Sequence, residues 1–135
     1  VTKENYKYGA RGHLSARDKR ELGRAIEIAK TSECNQKHGA VIKVGGRIIA
    51  GGVNRKRNDP TIVANPKTEA AIHAEIAALR ACGNTPVAGG TIYVARWGKK
   101  NCPLMSKPCP ACQEALRKAG IRKVIYTING SMSLE

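Results

Sequence analysis

Two short segments, His73-Ala74-Glu75 and Pro108-Cys109-Pro110-Ala111-Cys112, constrain this chain more than any other feature. Together they hold one imidazole, two thiols and one carboxylate, and Cys109 follows Glu75 by 34 residues. A structural zinc site closes with four Cys or His ligands, whereas a catalytic site leaves one position for water. Three ligands with a neighbouring acid are what a metal-activated water requires. A redox pair at Cys109 and Cys112 would leave His73 and Glu75 unexplained. A four-cysteine site would have to draft Cys34, Cys82 or Cys102, because no second C-x-x-C exists.

The pattern around these segments alternates helix and strand. Ser15 with Asp18 resembles a helix-capping pair, and Leu22, Ala25, Ile26 and Ala29 recur at helical spacing, so a helix is expected over about 15–31. Ala40–Val44 reads as a strand, Gly45-Gly46 as a tight hairpin, and Arg47–Ala50 as the returning strand, ending near Asn54. Residues 54–69 read as a polar loop carrying Arg55-Lys56-Arg57. A helix over about 70–82 follows, marked by Ile72, Ile76 and Leu79, with Gly83 beyond its end. Thr91–Ala95 is the third strand and 96–108 a loop. Pro110 opens a helix that stops at Gly120, and Lys123–Ile128 is the fourth strand. Asn129-Gly130 is a strong hairpin signal, from which a short fifth strand is expected to turn back antiparallel to the fourth. The order α-β-β-α-β-α-β argues for an α/β chain with a mixed sheet between helices. Residues 1–13 read as a basic N-terminal arm and 14–135 as one domain.

Both halves of the motif fall at predicted helix starts. There the unpaired N–H groups and the helix dipole favour thiolates and a metal-bound hydroxide. Glu75 lies two residues past His73, about 200° round a regular helix, which makes it a poor fourth ligand. It remains placed to take a proton from water, pass it to a ring nitrogen and assist the departure of ammonia. Cys34 and His38 straddle a predicted loop and do not read as a second metal site.

Charge narrows the partners. Lys and Arg number 24 against 10 Asp and Glu, leaving +14, an excess that favours an anionic partner. Stacking platforms for a non-specific single-strand binder are scarce, limited to Tyr6, Tyr8, Tyr93, Trp97 and Tyr126. Five cysteines without a disulfide framework point to a reducing cytosol, and no apolar run approaches the length of a membrane span.

At H-A-E and P-C-P-A-C the chain resembles the cytidine deaminase-like superfamily of zinc hydrolases, over roughly residues 15–128. The resemblance implies a three-layer α-β-α fold with a five-stranded mixed sheet, and one zinc per chain on His73, Cys109 and Cys112. It implies Glu75 as proton shuttle, Asn54 at a substrate sugar, the Ala74 N–H at the base carbonyl and Lys107 at the base through its main chain. Arg55 and Arg57, beside Asn54, are placed to hold a phosphate. The expected reaction is hydrolytic deamination of cytosine in a nucleoside or nucleotide. His73, where free cytidine deaminases use Cys, and the 19 residues from Asn54 to His73 favour the nucleotide side. A second reading is a base in single-stranded nucleic acid, with Trp97 stacking on its neighbour. A third is a zinc-stabilised module that binds nucleic acid without catalysis. Relatives of this kind self-associate, so a homo-oligomer is expected.

Overall fold

A computed structural model describes residues 6–8, 14–56 and 71–129. In chain order the elements begin with β1 (Tyr6–Tyr8), α1 (Ala16–Lys30), β2 (Lys37–Val44) and β3 (Arg47–Val53). They continue with β4 (Arg55–Lys56), β5 (Ala71–Ile72), α2 (Ala74–Ala81), β6 (Thr91–Trp97), β7 (Pro103–Leu104), α3 (Pro110–Lys118) and β8 (Lys123–Tyr126).

The main sheet runs β1-β8-β6-β2-β3, with β7 paired to the end of β6. β1, β8 and β6 are mutually parallel neighbours, and β6, β2 and β3 are antiparallel. The expected five-stranded mixed sheet is therefore present, but its fifth strand differs. Residues 130–135, where a C-terminal strand was expected, lie outside the described residues. Along Val124–Tyr126 both edges of β8 are taken, by β6 on one side and by β1 on the other. The segment read as an arm thus supplies the strand beside β8.

Alternation along the strands divides the core into two layers. Val41, Tyr93, Ala95 and Ile125 face α1, where they meet Leu22, Ala25 and Ile26. Ala40, Ile42, Ile92, Val94, Val124 and Tyr126 face the other way, against Ala74 and Ala78 of α2 and Leu116 of α3. Helix α1 starts as its sequence predicts: Ser15 Oγ accepts from the Asp18 N–H at 3.1 Å. The Asp18 carboxylate in turn accepts from the Tyr93 hydroxyl at 2.8 Å, which fixes the helix start to β6. The Gly45-Gly46 turn has φ of 56° and 82°, the left-handed pair that a two-residue hairpin of matching twist requires.

Two glycines let the helices sit close to the sheet. A Cβ at Gly39 would run into Ala25 O and Ala29 N of α1, and one at Gly52 would lie 2.7 Å from Ala74 O of α2. The second approach matters most, because it seats the first turn of α2, which carries His73 and Glu75, directly on β3. The helix expected over 70–82 is shorter than predicted. Ala71 and Ile72 instead pair with Lys56 and Arg55, and the helix begins after His73.

Candidate active site

His73 and Cys109 occupy equivalent places. Each is the last extended residue before a helix, His73 ahead of α2 (φ −68°, ψ 150°) and Cys109 ahead of α3 (φ −67°, ψ 163°). Pro110 supplies the fixed φ of the first helical position. Cys112 lies one turn further on and is buried. The Gln113 side chain donates to Pro108 O at 2.8 Å, holding the residue before Cys109 against the helix.

The three donor atoms converge. His73 Nδ1 stands 3.2 Å from Cys112 Sγ and 3.7 Å from Cys109 Sγ, and all three donors lie within 4.8 Å of one another. Tetrahedral zinc with ordinary Zn–N and Zn–S lengths separates such ligands by about 3.6 Å. Among the described residues this is the one cluster of three potential ligands. The electrostatics fit a cation as well. Burial, and after it the neighbouring Glu75, push the Cys112 thiol well above its ordinary range. Zinc held there would supply the positive charge that favours the Cys112 thiolate. One imidazole and two sulfurs are a zinc donor set, and two of the three residues, His73 and Cys109, also line a cavity.

That cavity, about 550 Å³, is lined by Cys34, Asn35, Gln36, His38, Asn54, His73, Glu75, Ser106, Lys107 and Cys109. It opens at the C-terminal ends of β6 and β8, where ligands of open α/β sheets gather. Glu75 is buried, and its carboxylate is held by its own backbone N–H and by a contact with the Cys112 thiol. Burial raises its pKa, with those contacts and His73 opposing. A carboxyl whose pKa burial raises, beside a metal-ligand set, is suited to carrying protons both ways.

The remaining expected residues divide. Lys107 lines the cavity, and Ala74 is the first residue of α2, its N–H among the first-turn amides that have no acceptor within the helix. Asn54 lines the cavity but is buried and already engaged. Its Oδ1 accepts from the Ser32 hydroxyl at 2.7 Å and the His38 N–H at 2.9 Å, while its Nδ2 donates to Gln36 O at 2.6 Å. Arg55 is exposed on β4 and is not among the cavity-lining residues, and Arg57 lies outside the described residues. Trp97 does not line this cavity either. As the last residue of β6 it shares the α1 face with Tyr93 and Ala95.

Five lining residues, Cys34, Asn35, Gln36, His38 and Ser106, were not among the site residues expected from the sequence. Ser106 Oγ donates to Val94 O at 2.8 Å and accepts from the Thr127 N–H at 2.9 Å, pinning the chain just before Cys109 to the ends of β6 and β8. No spacing rule marks such a residue. His38 lines the same cavity as the metal ligands rather than a second site. Burial, then Arg96 and His73, lower its pKa from 6.5 to about 4, so its ring is neutral at pH 7.

Comparison with known proteins agrees with this geometry. The family model for the cytidine and deoxycytidylate deaminase zinc-binding region matches residues 15–128. No curated protein matches the chain. Among solved structures, the dCMP deaminase of cyanophage S-TIM5 in apo form is 22% identical with a TM-score of 0.63, over 90% of this chain and 91% of that one. The guanine deaminase of Bacillus subtilis is 25% identical with a TM-score of 0.52, over 85% of this chain and 65% of that one. A mutant cytidine deaminase of Mycobacterium tuberculosis is 19% identical with a TM-score of 0.53, over 79% and 81%. The match spans both helix starts and every strand from β2 to β8, so the chain belongs to the cytidine and deoxycytidylate deaminase zinc-binding family and is a zinc-dependent deaminase.

Proposed function

We propose that the substrate is cytosine in a nucleoside or nucleotide, of the deoxycytidylate type, and that the products are the uracil counterpart and ammonia. The observation that carries this reading is the Glu75 carboxyl, buried against Cys112 on the wall of a cavity that His73 and Cys109 also line. The S-TIM5 dCMP deaminase, solved also in complex with dCMP and dUMP at 23% identity, supports a pyrimidine nucleotide.

Zinc in such a site turns a water into a nucleophile at neutral pH. The chain's own residues do the rest. Glu75 accepts a proton as the water oxygen bonds to C4 of the base, and delivers it to N3. It takes the remaining water proton and gives it to the amino group, so that the C4–N bond breaks and ammonia leaves. The N–H of Ala74 holds the base carbonyl. Lys107 presents its main chain to the base, and its ammonium stands at the exposed rim. Asn54 orders the wall made by residues 32–38, and its one remaining amide hydrogen is available to a sugar hydroxyl. Arg55 and Arg57 are assigned to the phosphate, as is their neighbour Lys56. A cytosolic location and self-association belong to the same reading. No described helix is long and apolar enough to cross a membrane, and β3 is an edge strand with Ile48 44% exposed.

The test is a panel of cytidine, deoxycytidylate, guanine and adenosine incubated with the zinc-loaded protein and read as ammonia release. Deoxycytidylate turnover is expected, reduced by roughly 10²-fold or more in Glu75→Gln at unchanged zinc content. Turnover confined to guanine or adenosine refutes the substrate. Zinc retention with no turnover of any of the four favours a binding module instead.

A further inference from the structure

A second cavity, about 580 Å³, lies beside the first and is lined by Lys30, Asn35, Lys37, Trp97, Gly98, Lys99 and Asn101. Asn35 lines both cavities. The strand register explains their relation. Lys37 is paired with Trp97, and His38 with Arg96. Side chains alternate, so Lys37 and Trp97 lie on the α1 face while His38 turns to the zinc-site face. The two cavities therefore occupy the same end of the sheet on opposite faces, separated by the 31–36 segment that carries Asn35.

The chemistry of this annex is specific. Among the described residues its lining holds three ammonium groups and no carboxylate. Lys30 Nζ stands 4.6 Å from the centre of the Trp97 ring and 3.0 Å from Glu27 Oε1. Neither Lys37 nor Lys99 forms an ion pair with a described residue. Lys99 is presented by a closed turn: Gly98 N donates to Cys102 O at 2.8 Å, Asn101 N to Gly98 O at 3.1 Å, and Asn101 takes the left-handed φ of 56°. An indole wall among cations, two of them without an ion pair to a described residue, is the combination that takes a base and its phosphate together. A volume of about 580 Å³, close to the 550 Å³ of the zinc-site cavity, exceeds what one phosphate group fills.

We infer that the annex holds a second nucleotide unit, linked through its phosphate to the one whose base reaches Glu75. Cytosine in a dinucleotide or short single strand is then taken in preference to the lone nucleotide. Residues outside the annex perform the chemistry; Trp97, Lys37 and Lys99 select substrate length. The inference rests on the deaminase reading above, and its test separates the two.

Zinc-loaded protein is assayed for ammonia release on deoxycytidylate and on deoxydinucleotides with cytosine at the 5′ or the 3′ position. At least one dinucleotide is expected to exceed deoxycytidylate in kcat/KM by roughly tenfold, the order of one base stack plus a phosphate contact. In Lys37→Gln/Lys99→Gln, and separately in Trp97→Ala, that ratio should fall towards one. The lysine pair keeps the test open if the tryptophan variant misfolds. Trp97 is the only tryptophan in the chain, so its fluorescence in the zinc-loaded Glu75→Gln protein gives a second readout. Dinucleotide should change the emission where deoxycytidylate at the same concentration does not. A native ratio of one or less, with deoxycytidylate still turned over, overturns the annex and leaves the deaminase reading intact. A saturable emission change with deoxycytidylate alone in that variant also overturns it, since the annex would then take a free nucleotide. Absence of turnover on every substrate overturns both.

Discussion

Replacing Asn54 with Ala separates two accounts of one side chain. If Asn54 is chiefly a contact for the substrate sugar, its loss raises KM and leaves the fold untouched. The structure gives the amide a further role, because it closes three hydrogen bonds within the protein, to Ser32, His38 and Gln36. Ser32 Oγ retains Asn54 O as a neighbour at 3.4 Å and also accepts from the Cys34 N–H at 3.1 Å, so the hydroxyl is partly compensated. The His38 N–H and the Gln36 carbonyl are left to find water or stay unpaired, each at about 1–3 kcal/mol. The sum is roughly 2–6 kcal/mol. With a urea dependence of about 1.5 kcal/mol per M for a domain of this size, the midpoint should fall by roughly 1.3–4 M. The assay is urea unfolding of the zinc-loaded protein followed by far-ultraviolet circular dichroism, with KM measured on the same preparations. A midpoint unchanged to within about 0.2 M, together with a raised KM, refutes the structural account and restores the sugar contact as the main role.

Gly52→Ala places a methyl against the backbone of α2 at Ala74 and Ala78, which no side-chain rotation relieves, so a stability loss of about 1–3 kcal/mol or more and weaker zinc retention are expected in the same urea titration. Cys112→Ser should lower zinc affinity by more than about a hundredfold, as judged by competition with a chromogenic chelator. Cys82→Ser, whose thiol only caps Ala78 O at 3.3 Å, should retain the metal, and equal losses in the two variants would contradict the ligand assignment. His38 gives the pH prediction. Its folded pKa of about 4 lies below the ordinary 6.5, so the fold favours the neutral ring. That stabilisation is complete above pH 6.5 and is lost as the pH falls from 6.5 towards 4, by roughly 3 kcal/mol at most. His38→Gln should therefore show a shallower decline of urea stability from pH 7 to 5 than the native chain, and parallel declines would refute it.

The metal centre was legible because its information is local. His73, Cys109 and Cys112 announce themselves by residue type at fixed spacing beside helix starts, and Ser15, Gly45-Gly46, Gly83 and Gly120 punctuate the chain where the structure uses them, the glycines with positive φ. β1 was illegible for the opposite reason. Three residues, Tyr6–Tyr8, carry too little pattern to read as a strand, and their partners at Val124–Tyr126 lie at the far end of the chain. Gly39 and Gly52 escaped notice because the need for a bare Cα exists only once a helix has docked against it. Trp97 shows how small a boundary error changes function. Ending β6 at Ala95 leaves the indole in a loop that leads to Cys109 and brings it to the zinc site. Ending it two residues later, as the structure does, obliges Trp97 to follow Tyr93 and Ala95 onto the face of α1. The period of two then removes the residue from the reacting base and sets it on the other face of the sheet, facing Lys37. There it can act only on a part of the substrate that extends past Asn35, which is why substrate length, rather than base identity, is the property its replacement should alter.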